Sequence, residues 1–477
     1  MQFFSESHPI DQRESQACGF GRRYNVVFAR AIGSVLVDDQ GRRYIDFLGS
    51  SGALNYGHND PDIMAALVSH VQSQGLGAGV DLHSQVKQRF VQAFSSLVLA
   101  PRGFSHRLQF TGPSATDAMD AALELARKVT GRQGVVAFTG SHVSGALGRS
   151  MRSAWRSPYD GAFGASVDTA EHLATLLEQP GSGVAAPAAV VLESVQIDGG
   201  LQAASPGWMR RIAAVARQNG ALLVLDDSMA GGGRCGGFFS FEGLDLSPDL
   251  VLPSQSLSGL SLPMGLLLVR PDRDLWSPAE HGSHFQHNHH AFASSVVACT
   301  KFWTDGRLQN LVAQRSGLLS AGLQGICNMV PGAKVLGKGM ARGLALGDAK
   351  LADDVVSCCL DRGLLVQTSG PSDSIVRLLP PLTTPTLLLE QAMAILYRAV
   401  ASASGLKARS VPHRALAAVH AAARQAARDA AQPAPTATPT LTTTATPTLT
   451  TTATPPSMPV PIRTPGVAQV KVARPAA

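Results

Sequence analysis

The stretch LLVLDDSMAGGGRCGGFFSFE, residues 222–242, decides the fold. It opens on a short unbroken apolar run, as expected of a strand buried on both faces. Two acids follow, Asp226 and Asp227, and then a glycine-rich turn. In parallel sheets function gathers at the carboxyl ends of strands. Asp226 stands at such an end.

Working outward, the segment just upstream reads as a crossover helix. Ser205 is its N-cap, Pro206 suits the first helical position, WMRRIAAVARQN carries the apolar stripe, and Gly220 ends it. Further short apolar runs are strand candidates: Gly134–Phe138, Ala188–Glu193, Ala221–Leu225, Asp249–Leu252 and Gly265–Val269. Strands alternating with helices from about residue 60 to 320 predict a parallel sheet. Residues 25–48 alternate in hydrophobicity around the turn Asp39-Gln40-Gly41, which predicts an antiparallel unit. Residues 320–405 read as a smaller α+β unit with strands near Gly343–Leu346, Leu364–Gln367 and Ile375–Leu378.

The expected organisation is therefore α/β. Residues 1–60 contribute to a small domain, 61–320 form a large three-layer domain with a mainly parallel sheet, and 321–405 complete the small α+β domain. Residues 406–431, which include HRALAAVHAAARQAARDAA, predict an Ala-rich helix. Residues 432–477 contain PTATPTLTTTATPTLTTTATPP, which repeats the unit ATPTLTTT. Such a Thr/Pro tract builds no core and is expected to be disordered. Its composition favours an inert tail over a tether for a partner.

The totals set bounds. The chain has 477 residues, 45% of them hydrophobic, and a formal net charge of +6, enough for one large folded unit. The arginines are scattered and form no basic run, so nucleic-acid binding is not expected. No apolar stretch reaches membrane-spanning length. The opening MQFFSESHPIDQRESQ lacks a charged-then-apolar signal pattern, so a cytoplasmic protein is expected. Six cysteines, Cys18, Cys235, Cys299, Cys327, Cys358 and Cys359, show no zinc or disulfide spacing and read as free thiols.

Several strand ends carry polar punctuation. Glu193 is followed by SVQIDGG, Asp226-Asp227 by SMAGGGRCGG, and Leu252 by PSQS. Upstream, QFTGPSATDAMDAALELARKVTGR places a Gly/Ser/Thr turn before a long helix, whose first amides and the Ser114 and Thr116 hydroxyls are suited to an anion. Alone, that signal is no stronger than an ordinary cap.

Together with YIDFLGSSGALNYGHNDP, SQSLSGLSLP and VRLLPPLT, these segments resemble the class III, fold-type I aminotransferases from residue 15 to about 400. Within that family the likeness is to the diaminobutyrate–2-oxoglutarate branch of ectoine biosynthesis. The resemblance implies pyridoxal 5′-phosphate chemistry and homo-oligomers with sites at the subunit interface. It also implies an amino acid and a 2-oxo acid as substrates. The cofactor serves as an electron sink, and the protein supplies its holders.

The resemblance assigns those holders residue by residue. Asp226 matches the acid that pairs with the pyridinium nitrogen. Thr116 matches the phosphate-binding helix start, where Ala115 replaces a glycine. His284 stands where a threonine reaches the phosphate from the neighbouring subunit. Ser141-His142-Val143 replaces an aromatic-His-Gly clamp, so the stacking ring is lost. Met229 replaces a glutamine that touches the phenolic oxygen, and it cannot donate a hydrogen bond. On the substrate side, Arg377 matches a carboxylate-binding arginine, Asp198 its pairing glutamate, and Glu193 is kept.

Gln255 replaces the Schiff-base lysine. A carboxamide forms no imine and has no basic lone pair for proton transfer. The nearest lysines in sequence are Lys301 and Lys334. Two functions therefore compete. One is a degenerate homologue that binds pyridoxal 5′-phosphate or pyridoxamine 5′-phosphate non-covalently, if at all, as a homo-oligomer or as partner of an intact paralogue. The other is an active transaminase of a diamino acid and 2-oxoglutarate, or a lysine-free enzyme using the amine-form cofactor. Four altered contacts, Ser141, Met229, Gln255 and His284, favour the first.

HGSHFQHNHH holds His281, His284, His287, His289 and His290. A divalent-metal site, a histidine base, a cofactor or substrate contact, and a drifted interface loop are all open readings. The lack of a helical i, i+4 pair weighs against metal.

Overall fold

The computed structural model of the chain describes residues 15, 24, 26–79, 82–138, 167–179, 182–282 and 285–406. The expected Ala-rich helix (apart from residue 406) and the Thr/Pro tail lie outside them, as do Ser141, His142 and His284.

Strands β1 (Phe28–Ile32), β2 (Val35–Asp38) and β3 (Arg43–Asp46) form an antiparallel meander. The expected turn at residues 39–41 is present, and Gly41 adopts φ +84°. A second turn at Gly33, φ +57°, splits the first half of the segment into two strands.

The central sheet contains β4 (Arg107–Gly112), β5 (Val135–Val136), β6 (Ala189–Leu192), β7 (Leu222–Asp226), β8 (Leu250–Leu252) and β9 (Gly265–Val269). Their order is β4-β9-β8-β7-β6-β5. Strands β5 to β8 pair in parallel. Strand β9 runs antiparallel to both neighbours, β8 and β4. The chain between β8 and β9 holds only the short 3-10 helix Gln255–Ser258. That link is too short for the crossover a parallel strand needs, so the chain turns back.

Alternate residues of this sheet face opposite layers. Val135, Ala189, Val191, Leu222, Val224, Leu250 and Leu267 pack with helix residues Ala118, Met119, Ala122 and Leu125. Val136, Val190, Leu192, Leu223, Leu225, Val251 and Leu268 join the larger core with Phe90, Leu173, Trp208 and Phe292. Both faces are covered, which explains strands written as continuous apolar runs.

The helices are α1 (Pro61–Gln72), α2 (Gln85–Phe94), α3 (Ala115–Thr130), α4 (Val167–Glu178), α5 (Pro206–Gln218) and α6 (His289–Trp303), followed by α7 (Arg307–Cys327), α8 (Ala349–Asp361) and α9 (Thr386–Ala403). Helix α5 begins as the sequence predicts: the Ser205 side chain accepts from Trp208 N–H at 3.2 Å, and Pro206 is the first helical residue.

The C-terminal region adds β10 (Lys334–Lys338), β11 (Ala341–Ala345), β12 (Leu364–Leu365), β13 (Gln367–Ser369) and β14 (Ile375–Leu378). Four of them form the antiparallel sheet β10-β11-β14-β13. The fifth, β12, pairs in parallel with β3, far upstream. Tyr24 Oη also donates to Val366 O at 2.6 Å, and Leu379 N–H to Phe47 O at 2.8 Å. The N-terminal meander and the C-terminal region are thus sewn together. One apolar core runs from Ile45 to Val400. No described helix is long and apolar enough to cross a membrane.

Candidate active site

The carboxyl edge of the central sheet brings the polar strand ends together. Asp226 pairs in register with Leu252, and Leu225 with Leu192. This sets Glu193, Asp226 and the Gln255 loop side by side. Gly112, at the end of β4, pairs with Gly265 at the start of β9, which brings the opening of α3 to the same edge.

Asp226 is 5% exposed. Ser228 donates to its Oδ1 twice, from the amide at 3.1 Å and from the hydroxyl at 2.6 Å. Asp227 is also buried and accepts from the Ser240 amide, at 3.2 and 3.1 Å, and from the Ser240 hydroxyl. Burial holds the Asp227 carboxyl well above the usual carboxylate range, against the pull of the Ser240 hydrogen bonds. Glu193 is buried beside Ser194, whose hydroxyl bonds that of Ser240.

Gln255 is half-buried and opens the 3-10 helix after β8. Its N–H donates to Ser228 O at 2.9 Å. Ser254 caps that helix by accepting from Ser256 N–H at 3.2 Å. Gly259 closes the helix in the left-handed region, φ +73°. A Cβ on Gly259 would stand 2.7 Å from Ile63, so the glycine satisfies both conformation and packing.

Beneath the loop lies a buried pair that sequence reading missed. Arg234 is fully buried and donates to Asn55 Oδ1 from Nε at 3.1 Å and Nη2 at 2.5 Å. It also donates to Pro380 O at 3.0 Å and Met340 O at 3.3 Å. Asn55 Nδ2 in turn donates to the Gly231 and Gly232 carbonyls and to Ser256 Oγ. Burial pushes the Arg234 guanidinium down to about 10, which leaves it charged at neutral pH. One signal was available: a lone arginine inside a glycine run seldom faces an apolar strand without partners.

At the start of α3, Ser114 and Asp117 form a reciprocal capping box. The Ser114 amide donates to Asp117 Oδ2 at 2.9 Å. Ala115 is the first helical residue, without the positive φ that would favour glycine, and Thr116 is exposed. Met229 is buried in an apolar cluster with Val195, Leu201, Ile375 and Leu379.

Arg377 and Asp198 meet. Arg377 is 4% exposed, and its Nη1 lies 2.5 Å from Asp198 Oδ1. Its Nη2 donates to Ser51 Oγ at 3.3 Å, and Nε reaches the Gln367 amide oxygen at 3.1 Å in the orientation that satisfies that amide. Burial pushes Arg377 down from the usual guanidinium range, against the pull of Asp198. The segment carrying Ser51 also reaches the strand-end turn: a Cβ on Gly52 would stand 3.0 Å from Met229 O.

The described histidines separate onto different partners. His281 Nδ1 contacts Glu124 at 2.9 Å, His287 packs on Phe110, and His290 meets His70 edge-on. Burial, with the nearby His70, Lys87 and His290, pushes His289 down. Among the described residues no group of three or more His, Cys, Asp or Glu is arranged to hold a metal. Lys301 Nζ is committed to Asp60 and Asp62, each at 2.7 Å, while Lys334 is exposed at the start of β10.

A buried acid at a strand end, a helix N-terminus at the same sheet edge and a polar loop after the next strand define a cofactor-type α/β site. The class III aminotransferase family model matches residues 20–400. An uncharacterised aminotransferase of Sinorhizobium fredii is 40% identical over 412 residues, 83% of this chain and 92% of that protein. A diaminobutyrate–2-oxoglutarate transaminase of Vibrio cholerae is 40% identical over 403 residues, 81% of this chain and 97% of that protein. Among solved structures, N-acetylornithine aminotransferase from Stenotrophomonas maltophilia aligns with a TM-score of 0.66 at 26% identity, covering 81% of this chain and 99% of that one. The chain belongs to the class III aminotransferases, a family dependent on pyridoxal 5′-phosphate, and has their fold-type I architecture.

Proposed function

We propose that this chain is a degenerate class III aminotransferase of the diaminobutyrate–2-oxoglutarate type. It holds pyridoxal 5′-phosphate or its amine form without a covalent link, and its transamination is impaired. The observation that carries this reading is Gln255. It opens the loop after β8, and its backbone is bonded to Ser228, two residues beyond Asp226. A carboxamide there neither condenses with an aldehyde nor carries a proton between carbon and cofactor.

The residues fit the cofactor in part. Buried Asp226 would hold the ring nitrogen, and the first amides of α3 with Thr116 would hold the phosphate. When bound, the cofactor supplies an electron sink. Met229 offers no donor to the ring, and Gln255 offers hydrogen bonds only. Arg377 is already engaged by Asp198, so a substrate carboxylate must displace that partner to reach it. Diamino acid and 2-oxo acid ligands, a homo-oligomeric or paralogue-partnered assembly and a cytoplasmic setting complete the reading.

The test is to load the full chain with pyridoxal 5′-phosphate, treat with borohydride and weigh the intact protein. The expected result is cofactor that unfolding removes and no fixed adduct. A fixed adduct on the wild-type chain overturns the proposal. Gln255→Lys is expected to gain the adduct.

A further inference from the structure

Asp226 is bridged by its own turn. Ser228 is 1% exposed and spends both of its donors on one oxygen of that carboxylate. The amide bond is the ordinary closure of an Asx turn. The hydroxyl bond is additional, and at 2.6 Å it belongs to the short, charge-assisted kind. A serine hydroxyl has a single proton to give, and here Asp226 receives it. The carbonyl of the same residue takes the Gln255 N–H. Ser228 therefore ties the buried acid to the loop that carries the carboxamide.

We propose that Ser228 is a positioning residue that tempers Asp226, so that a pyridoxal-type ring held there is less fully protonated at its nitrogen. This rests on the reading that the ring nitrogen sits at Asp226. A hydrogen bond to the charged form of a carboxylate stabilises that form. A carboxylate stabilised by Ser228 attracts a pyridinium proton less strongly. The proton lost from the ring passes to solvent, and no other bond forms or breaks. The ring then withdraws electrons less well. Ser228 and Gln255 act in the same direction: one weakens the sink and the other removes the amine.

The experiment uses the full chain and pyridoxamine 5′-phosphate carrying nitrogen-15 in the ring. Calorimetry reads binding, and the nitrogen-15 shift reads ring protonation. Ser228→Ala keeps the amide bond and deletes the hydroxyl. It is expected to raise the protonated-to-neutral ratio about tenfold, the equivalent of one charge-assisted hydrogen bond. Ser228→Thr, which keeps a hydroxyl, is expected to return the wild-type shift. Should Ser228→Ala fail to fold, Ser228→Cys, with its weak donor, gives the same readout. Binding with a shift unchanged by loss of the hydroxyl overturns this proposal and leaves cofactor binding intact. Absence of binding by the wild type overturns both.

Discussion

The two edges of the central sheet handle buried charge in different ways. At the amino edge, charge meets charge. Asp249 accepts from Leu223 N–H at 2.8 Å on one oxygen and pairs with Arg270 at 2.7 Å and Arg273 at 3.1 Å on the other. At the carboxyl edge, Asp226 and Asp227 are answered by serine hydroxyls and amides, and Arg234 by an asparagine and carbonyls. Ion pairs fix a structure without leaving a carboxylate for other work. Hydroxyls and amides hold an acid in place without setting a cation against it. The edge built from hydroxyls is the one where function is expected.

Four substitutions test that contrast. The largest effect is expected at the carboxyl edge. Arg234→Met leaves the Asn55 oxygen and the Met340 and Pro380 carbonyls without their donor. Urea unfolding is expected to show a loss of about 3–5 kcal/mol. A loss under about 1 kcal/mol shows that the pair is not a structural strut. At the amino edge, Asp249→Ala deprives the Leu223 amide of its carboxylate acceptor and takes one of two carboxylate partners from Arg270 and Arg273, which keep Asp272. About 2–3 kcal/mol is expected by the same measurement. A loss matching that of Arg234→Met blurs the distinction between the edges.

The third test uses pH. The Asp227 carboxyl lies well above its ordinary value in the folded chain. The folded state therefore holds a proton that the unfolded chain has released, from about pH 4 up to the raised value. Stability from this group is complete below that window and falls as pH rises through it. Asp227→Asn is expected to flatten the fall, so its melting temperature should gain on the wild type as the pH is raised above the ordinary carboxylate range. Parallel pH curves for the two proteins sink the idea. The smallest effect is expected from Arg217→Ala. Arg217 is exposed at the end of α5 near Asp249, and the change should stay within about 0.5 kcal/mol.

The fold was legible in the sequence wherever burial leaves a pattern. Central strands covered on both faces appear as plain apolar runs, and Ser205, Pro206 and Gly220 frame α5. Strand direction was not legible. The run Gly265–Val269 reads the same either way, and only the short link from β8 reverses it. Strand β4 escaped notice because its first three residues, Arg107, Leu108 and Gln109, are only partly buried or exposed. At the site, Asp226 stood out as an acid at a strand end, whereas Gln255, Arg377 and Asp198 were marked only through the resemblance to the family. Asn55 and Arg234 did not, since they meet across 179 positions and no local pattern records the encounter. Ser228 looked like any turn serine, and its role depends on where its hydroxyl points.

Strand β12 gives the first sheet its fourth member, yet it lies at residues 364–365, while β3 ends at Asp46. On a ribosome making about 5–20 residues each second, the meander must wait some tens of seconds for its neighbour. Throughout that wait the edge of β3 offers unpaired amides and carbonyls to any passing strand. The nascent chain is therefore most open to mispairing early in its synthesis, and a chain cut short before Leu364 would never close that edge.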